Sequence, residues 1–153
     1  MAKQSKKREY KKNGKIDKHF LAETNKKLSG KDINTILRWT EKTFGTDEVA
    51  MTTAFGYSGL VLLHNVLKII PDIKIYFIDT GFHFQETLDF CERITDEWNL
   101  NLEIVKPDIS KEDLKQKLGE KPYKTNPDLC CHYCKVEPLL RILHNHDAWL
   151  SGI

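Results

Sequence analysis

The chain has 153 residues, of which 40% are hydrophobic and 30% are charged, and its formal net charge is +2. This length suits one domain, and this composition is typical of a folded globular protein rather than a disordered one. No segment approaches the roughly 20 apolar residues of a membrane helix, and no apolar segment near residue 1 predicts a secretory signal. We therefore expect a cytoplasmic protein with no membrane partner.

The positive charge is concentrated at one end of the chain. Residues 1–31 contain eleven Lys and Arg against three Asp and Glu, whereas the remaining residues contain 13 basic and 19 acidic side chains. A mildly acidic body argues against nucleic acid as its main ligand, and the basic arm is either a solvated leader or a contact for a polyanion. We predict a basic leader over residues 1–28, with a helix near Ile16 to Leu28, and a folded domain over residues 29–153.

Hydrophobic periodicity in the folded domain alternates between helix and strand spacing. Ser29 is expected to cap a first helix, with Asp32 as its capping partner and apolar residues at helical spacing, and Gly45 is expected to end it. Residues 119–134 are expected to be irregular because prolines interrupt them. The predicted strands are 48–55, 74–78, 102–105 and 148–153, and the predicted helices between them are 58–70, 84–98, 110–119 and 135–146. This alternation predicts an α/β fold with a parallel sheet covered by helices on both faces.

Small and polar residues follow the first two predicted strands, where parallel sheets bind their ligands. The first group contains glycines and hydroxyls suited to a phosphate, but no lysine follows, so it is not a Walker loop. The alternative interpretation of this first group is a tight turn between a strand and a helix. The second group contains a carboxylate that can accept hydrogen bonds from a nucleoside, and His83 beside it is expected to be a surface residue. The candidate ligand-binding residues are Thr52, Thr53, Phe55, Gly56, Ser58, Gly59, Asp79, Thr80 and Gly81.

Three of the four cysteines, Cys130, Cys131 and Cys134, lie within five residues. In a reducing compartment such a cluster is more typical of metal binding or redox chemistry than of disulfides. Thiolates are ligands of zinc and of iron–sulfur clusters, and a helix start beside Lys135 predicts lowered thiol pKa values. Structural cysteines are the alternative, and Cys91, on an apolar helix face, is expected in the core.

Together these motifs resemble the family of assimilatory adenylyl-sulfate and phosphoadenylyl-sulfate reductases. Residues 52–59 are similar to the family's modified phosphate loop, and residues 78–87, 130–139 and 149–153 match its later motifs in the same order. The resemblance extends from about residue 30 to the last residue. It implies the adenine-nucleotide α-hydrolase-like fold, incomplete at its C-terminal end.

The resemblance implies the reduction of adenylyl sulfate to sulfite and adenosine monophosphate, with electrons from thioredoxin. It assigns Cys130 and Cys131 to a 4Fe-4S cluster, which favours adenylyl sulfate over its 3′-phosphorylated form. It also implies that Lys135 acts electrostatically between cluster and substrate. Cys134 stands where the family usually has an arginine, and it is a candidate third ligand. The family's second cysteine pair and its nucleophilic cysteine have no counterpart here, so we expect a fragment with negligible activity alone.

Several alternatives remain open from the sequence. One is a phosphoadenylyl-sulfate reductase, and another is a non-catalytic module that binds metal through the three clustered cysteines. A nucleotide-activating enzyme of the same fold is disfavoured, because Tyr57-Ser58-Gly59-Leu60 lacks the acidic residue that Mg²⁺ would need. The last alternative is a truncated product without a stable fold. The sequence does not decide whether the chain forms a homo-oligomer.

Overall fold

The structure of the protein is a computed structural model that describes residues 10–12 and 15–152. The chain divides into two compact units between Ile36 and Leu37. The described part of the first unit contains the antiparallel strands β1 (Lys11–Lys12) and β2 (Lys15–Ile16), followed by helix α1 (Lys18–Leu28). The helix expected near the end of the leader is therefore present. The predicted boundary between the leader and the folded domain at residue 28 stays a prediction. Residues 1–9, 13 and 14 of the leader lie outside the described residues.

Helix α2 (Ile33–Phe44) begins after Asp32 rather than after Ser29. The Oδ1 atom of Asp32 accepts a hydrogen bond from Thr35 N at 3.0 Å, and hydrogen bonding by Thr35 lowers the pKa of the Asp32 carboxyl. Ser29 instead ends α1, where its N–H donates to the carbonyl of Asn25. The prediction that Ser29 caps α2 is wrong, because a cap must directly precede the helix to reach its free amides.

The second unit is built on a parallel sheet that has four strands in the described part of the chain. Its strands are β3 (Val49–Thr52), β4 (Lys74–Ile78), β5 (Leu102–Val105) and β6 (Ala148–Ser151). The strand order is β5-β4-β3-β6, so the chain moves outward from β3 in one direction and then returns to its other side. The predicted α/β architecture is confirmed, and the order reverses beside β3, where ligands of such sheets bind.

Helices cover both faces of this sheet. The longer helices between the strands are α3 (Tyr57–Leu67), α4 (Gln85–Glu97), α5 (Lys111–Leu118) and α8 (Glu137–Leu143). The main core includes Met51, Leu63 and Phe77, each at most 1% exposed, and Ala50 and Ile142 belong to a smaller cluster. Within the described residues, no helix is long and apolar enough to cross a membrane.

Residues 119–134 are mostly helical, so the expectation of an irregular segment is wrong. They contain α6 (Pro122–Thr125) and α7 (Pro127–Cys131), and each of these short helices has proline at its start. Proline is favoured at the first helical position, because its fixed φ suits the helix and no partner is needed there for an N–H. The two prolines that we took as helix breakers therefore start helices.

A π-helical stretch, His132–Val136, joins α7 to α8, so the helical run extends from residue 127 to residue 143. The N–H of Glu137 donates to the carbonyl of His132, which is the five-residue spacing of a π turn. Pro138 follows and has no N–H for the carbonyl of Cys134 four residues earlier. A π turn absorbs such a break without ending the helix. The helix predicted to begin at Lys135 is therefore the second half of a longer run.

Candidate functional site

A cavity of about 410 Å³ opens at the carboxyl ends of β3, β4 and β6, and we call it the strand-end cavity. Cavities of this size at the reversal of strand order are typical ligand sites of parallel α/β sheets. It contains seven of the candidate residues, from two strand ends and from the cysteine-bearing helical run. These are Thr52, Thr53, Gly56, Ser58, Gly59, Thr80 and Lys135.

Several lining residues were not among the predicted site residues. They are Ala54, Tyr76, Ile78, His83, Val136, Leu139, Ser151 and Gly152. The strand register explains two of them, because Thr52 is aligned with Tyr76 on β4 and with Ser151 on β6. His83 is a partly buried wall residue whose Nε2 donates to the carbonyl of Ile78 at 3.1 Å. Tyr76 and Ser151 could have been predicted from the alignment of the strands. That alignment depends on the order of the strands in the sheet, which the sequence does not specify.

The turn after β3 is held by a buried hydroxyl and an aromatic side chain. The Oγ1 atom of Thr53 accepts a hydrogen bond from Phe55 N at 3.0 Å, and Phe55 adopts a left-handed backbone conformation with φ of 58°. Its ring packs against Phe77 and Phe90 at centroid distances of 5.6 and 6.3 Å. The structure thus places Phe55 in the core and not on the cavity wall, where it fixes the turn that carries Gly56.

Two glycines at the cavity stand where a side chain would overlap its neighbours. A Cβ atom at Gly152 would lie 2.7 Å from Gly59 N and 2.8 Å from the carbonyl carbon of Ser58. A Cβ atom at Gly59 would lie 2.8 Å from Thr53 Oγ1. Separations below 3 Å are steric overlap, so each position requires a residue without a side chain. Gly152 thus lets the end of β6 approach the start of α3, and Gly59 lets α3 approach the turn after β3.

The residues after β4 are divided between two cavities. Thr80 lines the strand-end cavity and also a neighbouring cavity of about 190 Å³, whereas Asp79 and Gly81 line only the smaller one. The Oδ1 atom of Asp79 accepts from Gly81 N at 3.0 Å, and Gly81 has a positive φ of 74°. The carboxylate of Asp79 therefore closes its own turn and stands beside the predicted nucleotide site.

The cysteine-bearing helical run, residues 127–143, contributes to both cavities. Lys135 lines the strand-end cavity, and the preceding residue, Cys134, lines the smaller one. Further along the run, Arg141 donates to the carbonyl of Lys106 at 2.7 Å and pairs with Asp108 at 2.5 Å. These contacts tie the run to the segment after β5 and bring its cysteines next to the strand ends.

Two of the three clustered thiols are buried among apolar side chains. Cys130 and Cys134 are 7% and 3% exposed and pack with Leu114, whereas Cys131 is exposed. Burial, reinforced by the neighbouring Cys130, raises the pKa of the Cys134 thiol to about 11. The prediction of lowered thiol pKa values is wrong for Cys134, because loss of hydration outweighs the nearby Lys135. Cys91 lies in the main core as expected, and burial raises its thiol pKa.

The clustered cysteines are the right type of ligand for an iron–sulfur cluster, but there are too few of them. A 4Fe-4S cluster takes four thiolates, and a closed zinc site takes four ligands. Among the residues that the structure describes, no group of three or more Cys, His, Asp or Glu side chains is arranged to hold a metal ion. The candidate set Cys130, Cys131 and Cys134 is therefore incomplete for either centre.

Comparison with known proteins connects this site to one family. Residues 48–153 match the phosphoadenosine phosphosulfate reductase domain. An adenosine 5′-phosphosulfate reductase of Halalkalibacterium halodurans is 36% identical over 87% of this chain, and adenosine 5′-phosphosulfate reductase 1 of Bacillus subtilis is 37% identical over 77%. The chain spans 58% and 51% of the lengths of these two relatives.

A solved structure agrees with the fold. The phosphate complex of phosphoadenylyl-sulfate reductase from Candida auris superposes with a TM-score of 0.77 and 31% identity, covering 91% of this chain and 69% of that one. The predicted sheet architecture is thus confirmed both by the strand pairing and by this likeness. The domain match and relatives more than 30% identical over most of the chain show that it belongs to the phosphoadenosine phosphosulfate reductase family.

Proposed function

We propose that the strand-end cavity binds adenylyl sulfate and that the chain is the nucleotide-binding part of an adenylyl-sulfate reductase. One observation carries this proposal: the hydroxyl- and glycine-rich turn after β3 and Lys135 line the same cavity. Hydroxyls and backbone amides suit phosphate oxygens, and the lysine offsets the charge of an anionic phosphosulfate. The curated relatives named as adenosine 5′-phosphosulfate reductases support the same substrate.

In the proposed reaction a cysteine thiolate attacks the sulfur atom of adenylyl sulfate. The bond from sulfur to the bridging oxygen breaks, and adenosine monophosphate leaves with the electron pair. A thiolate of reduced thioredoxin then attacks the cysteine sulfur, which releases sulfite, and the second thioredoxin thiol closes its disulfide. Two electrons pass from the thioredoxin dithiol to the sulfuryl group, and the thiols release their protons.

Three of the four thiols of this chain are poorly suited to the attacking role, and on this proposal the fourth, the exposed Cys131, is a cluster ligand. Cys91, Cys130 and Cys134 are buried, and a pKa of about 11 leaves Cys134 almost wholly protonated at neutral pH. The nucleophile must be a thiolate, so we propose that it is supplied from outside this chain. On this proposal the chain binds the nucleotide but does not turn it over alone.

The 3′-phosphorylated nucleotide is the second candidate substrate. The structural likeness to a phosphoadenylyl-sulfate reductase favours it, whereas the names of the curated relatives favour adenylyl sulfate. The adjacent Cys130 and Cys131 add weight to adenylyl sulfate through the resemblance described above. We propose them as two ligands of a 4Fe-4S cluster whose other ligands lie outside the described residues, and we propose thioredoxin as the electron donor.

Titration calorimetry with the full 153-residue chain tests the proposal. We expect adenosine monophosphate and adenylyl sulfate to bind, and the 3′-phosphorylated nucleotide to bind more weakly. No binding of any of them would contradict the assigned site, and tighter binding of the 3′-phosphorylated form would reverse the substrate assignment.

Activity tests the proposal of an external nucleophile, and colour tests the proposal that the cluster needs further ligands. Sulfite release from adenylyl sulfate and reduced thioredoxin should be negligible for this chain, and turnover at ordinary enzymatic rates would contradict an external nucleophile. Anaerobic incubation with iron and sulfide should give no stable brown protein, since the thiol set is incomplete. A stable cluster on the isolated chain would show that its own cysteines suffice.

A further inference from the structure

His83, in the segment between β4 and α4, is held beside the end of β3 by a hydrogen bond to the backbone. Its Nε2 atom donates to the carbonyl of Ile78 at 3.1 Å. The carbonyl of Tyr76, two residues earlier on β4, accepts from Thr53 N at 3.1 Å and so points toward β3. Backbone carbonyls two residues apart on a strand point to the same side. The carbonyl of Ile78 therefore points past the end of β3, toward the strand-end cavity that His83 lines.

A core side chain supports the imidazole ring of His83 on one face. The ring centroid lies 4.9 Å from that of Phe77, and the two planes are inclined by 37°. Phe77 is only 1% exposed and belongs to the main core, so it is a fixed surface for the histidine. This packing and the hydrogen bond to Ile78 together hold both the position and the tilt of the ring.

The hydrogen bond to Ile78 also determines which nitrogen of the His83 ring carries the hydrogen. A backbone carbonyl only accepts, so Nε2 must be the donor. In the neutral imidazole the other nitrogen, Nδ1, then has a lone pair and no hydrogen. Nδ1 has no hydrogen-bond partner within the described residues, and it is not buried. The histidine thus presents an acceptor to a ligand in the cavity that it lines.

This acceptor differs from the other polar groups around the cavity. Lys135 offers only donors, and the turn after β3 offers hydroxyls and backbone N–H groups, which suit anionic oxygens. The oxygens of a phosphosulfate are acceptors only, so the lone pair of Nδ1 is unsuited to them. The hydroxyls of ribose and the amine of adenine are donors. The histidine therefore suits the nucleoside part of the proposed ligand.

We propose that Nδ1 of His83 accepts a hydrogen bond from the nucleoside part of the bound nucleotide, and that this bond makes His83 a specificity-determining residue of the site. The ligand chemistry is an O–H or N–H donor, which the ribose hydroxyls and the adenine amine share. This inference rests on the proposed nucleotide site. It adds to that site an acceptor that selects among nucleotides with the same phosphate group.

Three analogues of adenosine monophosphate, each lacking one donor, identify the group that His83 recognises. They are the 2′-deoxy form, the 3′-deoxy form and purine riboside monophosphate, which has no amine. Titration calorimetry of the full 153-residue chain should show one of them binding about threefold to tenfold more weakly than adenosine monophosphate. That factor is the usual effect of losing one hydrogen bond between neutral groups.

His83→Phe removes both ring nitrogens and keeps a ring against Phe77. This variant should bind adenosine monophosphate about threefold to tenfold more weakly and should no longer distinguish it from the identified analogue. Loss of the bond to Ile78 affects both ligands alike, so the lost discrimination reports the acceptor itself. The matched control is His64→Phe on α3, whose ring contacts Trp98 outside the cavity lining, and it should keep full discrimination.

Nitrogen NMR of the unsubstituted chain provides a measurement that does not depend on the folding of a variant. At a pH where the ring is neutral, the Nδ1 resonance of His83 should shift when adenosine monophosphate is added, because its lone pair gains a hydrogen bond. The identified analogue should give no such shift. An unchanged Nδ1 resonance at saturation with adenosine monophosphate would overturn this inference.

The calorimetric outcomes separate this inference from the proposed function. If the unsubstituted chain binds no adenosine monophosphate, both are overturned. If it binds adenosine monophosphate and all three analogues equally tightly, or if His83→Phe keeps the full discrimination, the nucleotide site stands and only the role of His83 is overturned.

Discussion

The strand ends and the cysteine-bearing helical run form two sides of one site, and they differ in how completely the chain assembles them. On the strand side, the backbone of Gly152 packs directly on the start of α3, and Phe55 anchors the turn after β3 in the core. On the helix side, Cys130 and Cys134 are buried in a small apolar cluster, and the described residues provide no metal-binding group of three or more ligands.

This difference shows that a ligand pocket and a metal centre place different demands on a fold. The pocket is formed by packing between neighbouring elements, so a few strands and helices are enough to shape it. A cluster centre needs a fixed number of thiolates, and one helical run supplies only some of them. Four experiments test this difference between the two sides of the site.

The largest effect is expected at Phe55, on the strand side. Replacing Phe55 by alanine removes its packing on Phe77 and Phe90 and should lower the free energy of unfolding by about 3–5 kcal/mol. Phe55→Gly loses the same ring but suits the positive φ, so it should be more stable than Phe55→Ala by about 1 kcal/mol. Urea denaturation measures both, and a less stable glycine variant would show that the left-handed backbone carries no strain.

Gly152→Ala should have the next largest effect, because its Cβ would overlap Gly59 N and Ser58. We expect a loss of about 1–3 kcal/mol of stability, the range for overpacking, together with weaker nucleotide binding. Gly56→Ala is the matched control for stability, since a Cβ there meets nothing within 4 Å and its φ is −72°. Equal melting temperatures for the two variants would mean that the β6–α3 approach is not tight in solution.

Lys135→Met tests whether the helix side contributes to the strand-end cavity. The side chain is exposed as well as cavity-lining, so solvent screens its charge. We expect adenosine monophosphate binding to weaken about threefold to tenfold, with less dependence on salt concentration. Lys124→Met, on α6 and outside the cavity lining, is the control for a general loss of positive charge. Equal effects of the two substitutions would exclude a specific role for Lys135.

The smallest effect concerns the buried thiol on the helix side. Burial raises the pKa of Cys134 from 9.0 to about 11, so the folded protein keeps a proton that the unfolded chain releases between these values. The stability from this group is fully present below about pH 9 and is lost as the pH rises through about 11. Denaturation in this range should give a shallower decline for Cys134→Ala. The matched control Cys131→Ala, at an exposed thiol, should leave the decline unchanged, and a steeper decline in Cys134→Ala would contradict the burial.

Local sequence signals predicted most of the elements that position the site. The strands at Lys74–Ile78 and Leu102–Val105 agree with the structure residue for residue. The helix predicted over 110–119 is α5, capped by Ser110, whose hydroxyl accepts from Asp113 N at 3.0 Å. Apolar runs and helix caps act within a few residues, so they can be recognised without knowing the fold. The predicted site residues Thr52, Ser58 and Thr80 meet in one cavity for the related reason that strand ends collect at one edge of a parallel sheet.

The prolines of residues 119–134 misled the prediction, because the same residue type breaks a helix inside and favours one at its start. The prediction of a lowered pKa for the Cys134 thiol is wrong for a similar reason. A sequence shows that Lys135 is beside Cys134, but it does not show that the thiol packs in an apolar cluster with Leu114. Burial outweighs the neighbouring charge, and only the packing determines burial.

Patterns along the chain were enough to predict the alternation of strands and helices, the types of side chain at each strand end and the clustering of the cysteines next to a helix. The tertiary structure decided which strands are neighbours, and therefore that Thr52 is aligned with Tyr76 and Ser151 and that Gly152 contacts α3. The reason is that periodicity and caps are set by neighbours along the chain. Register, burial and cavity shape depend instead on residues that are distant in sequence and adjacent only after folding.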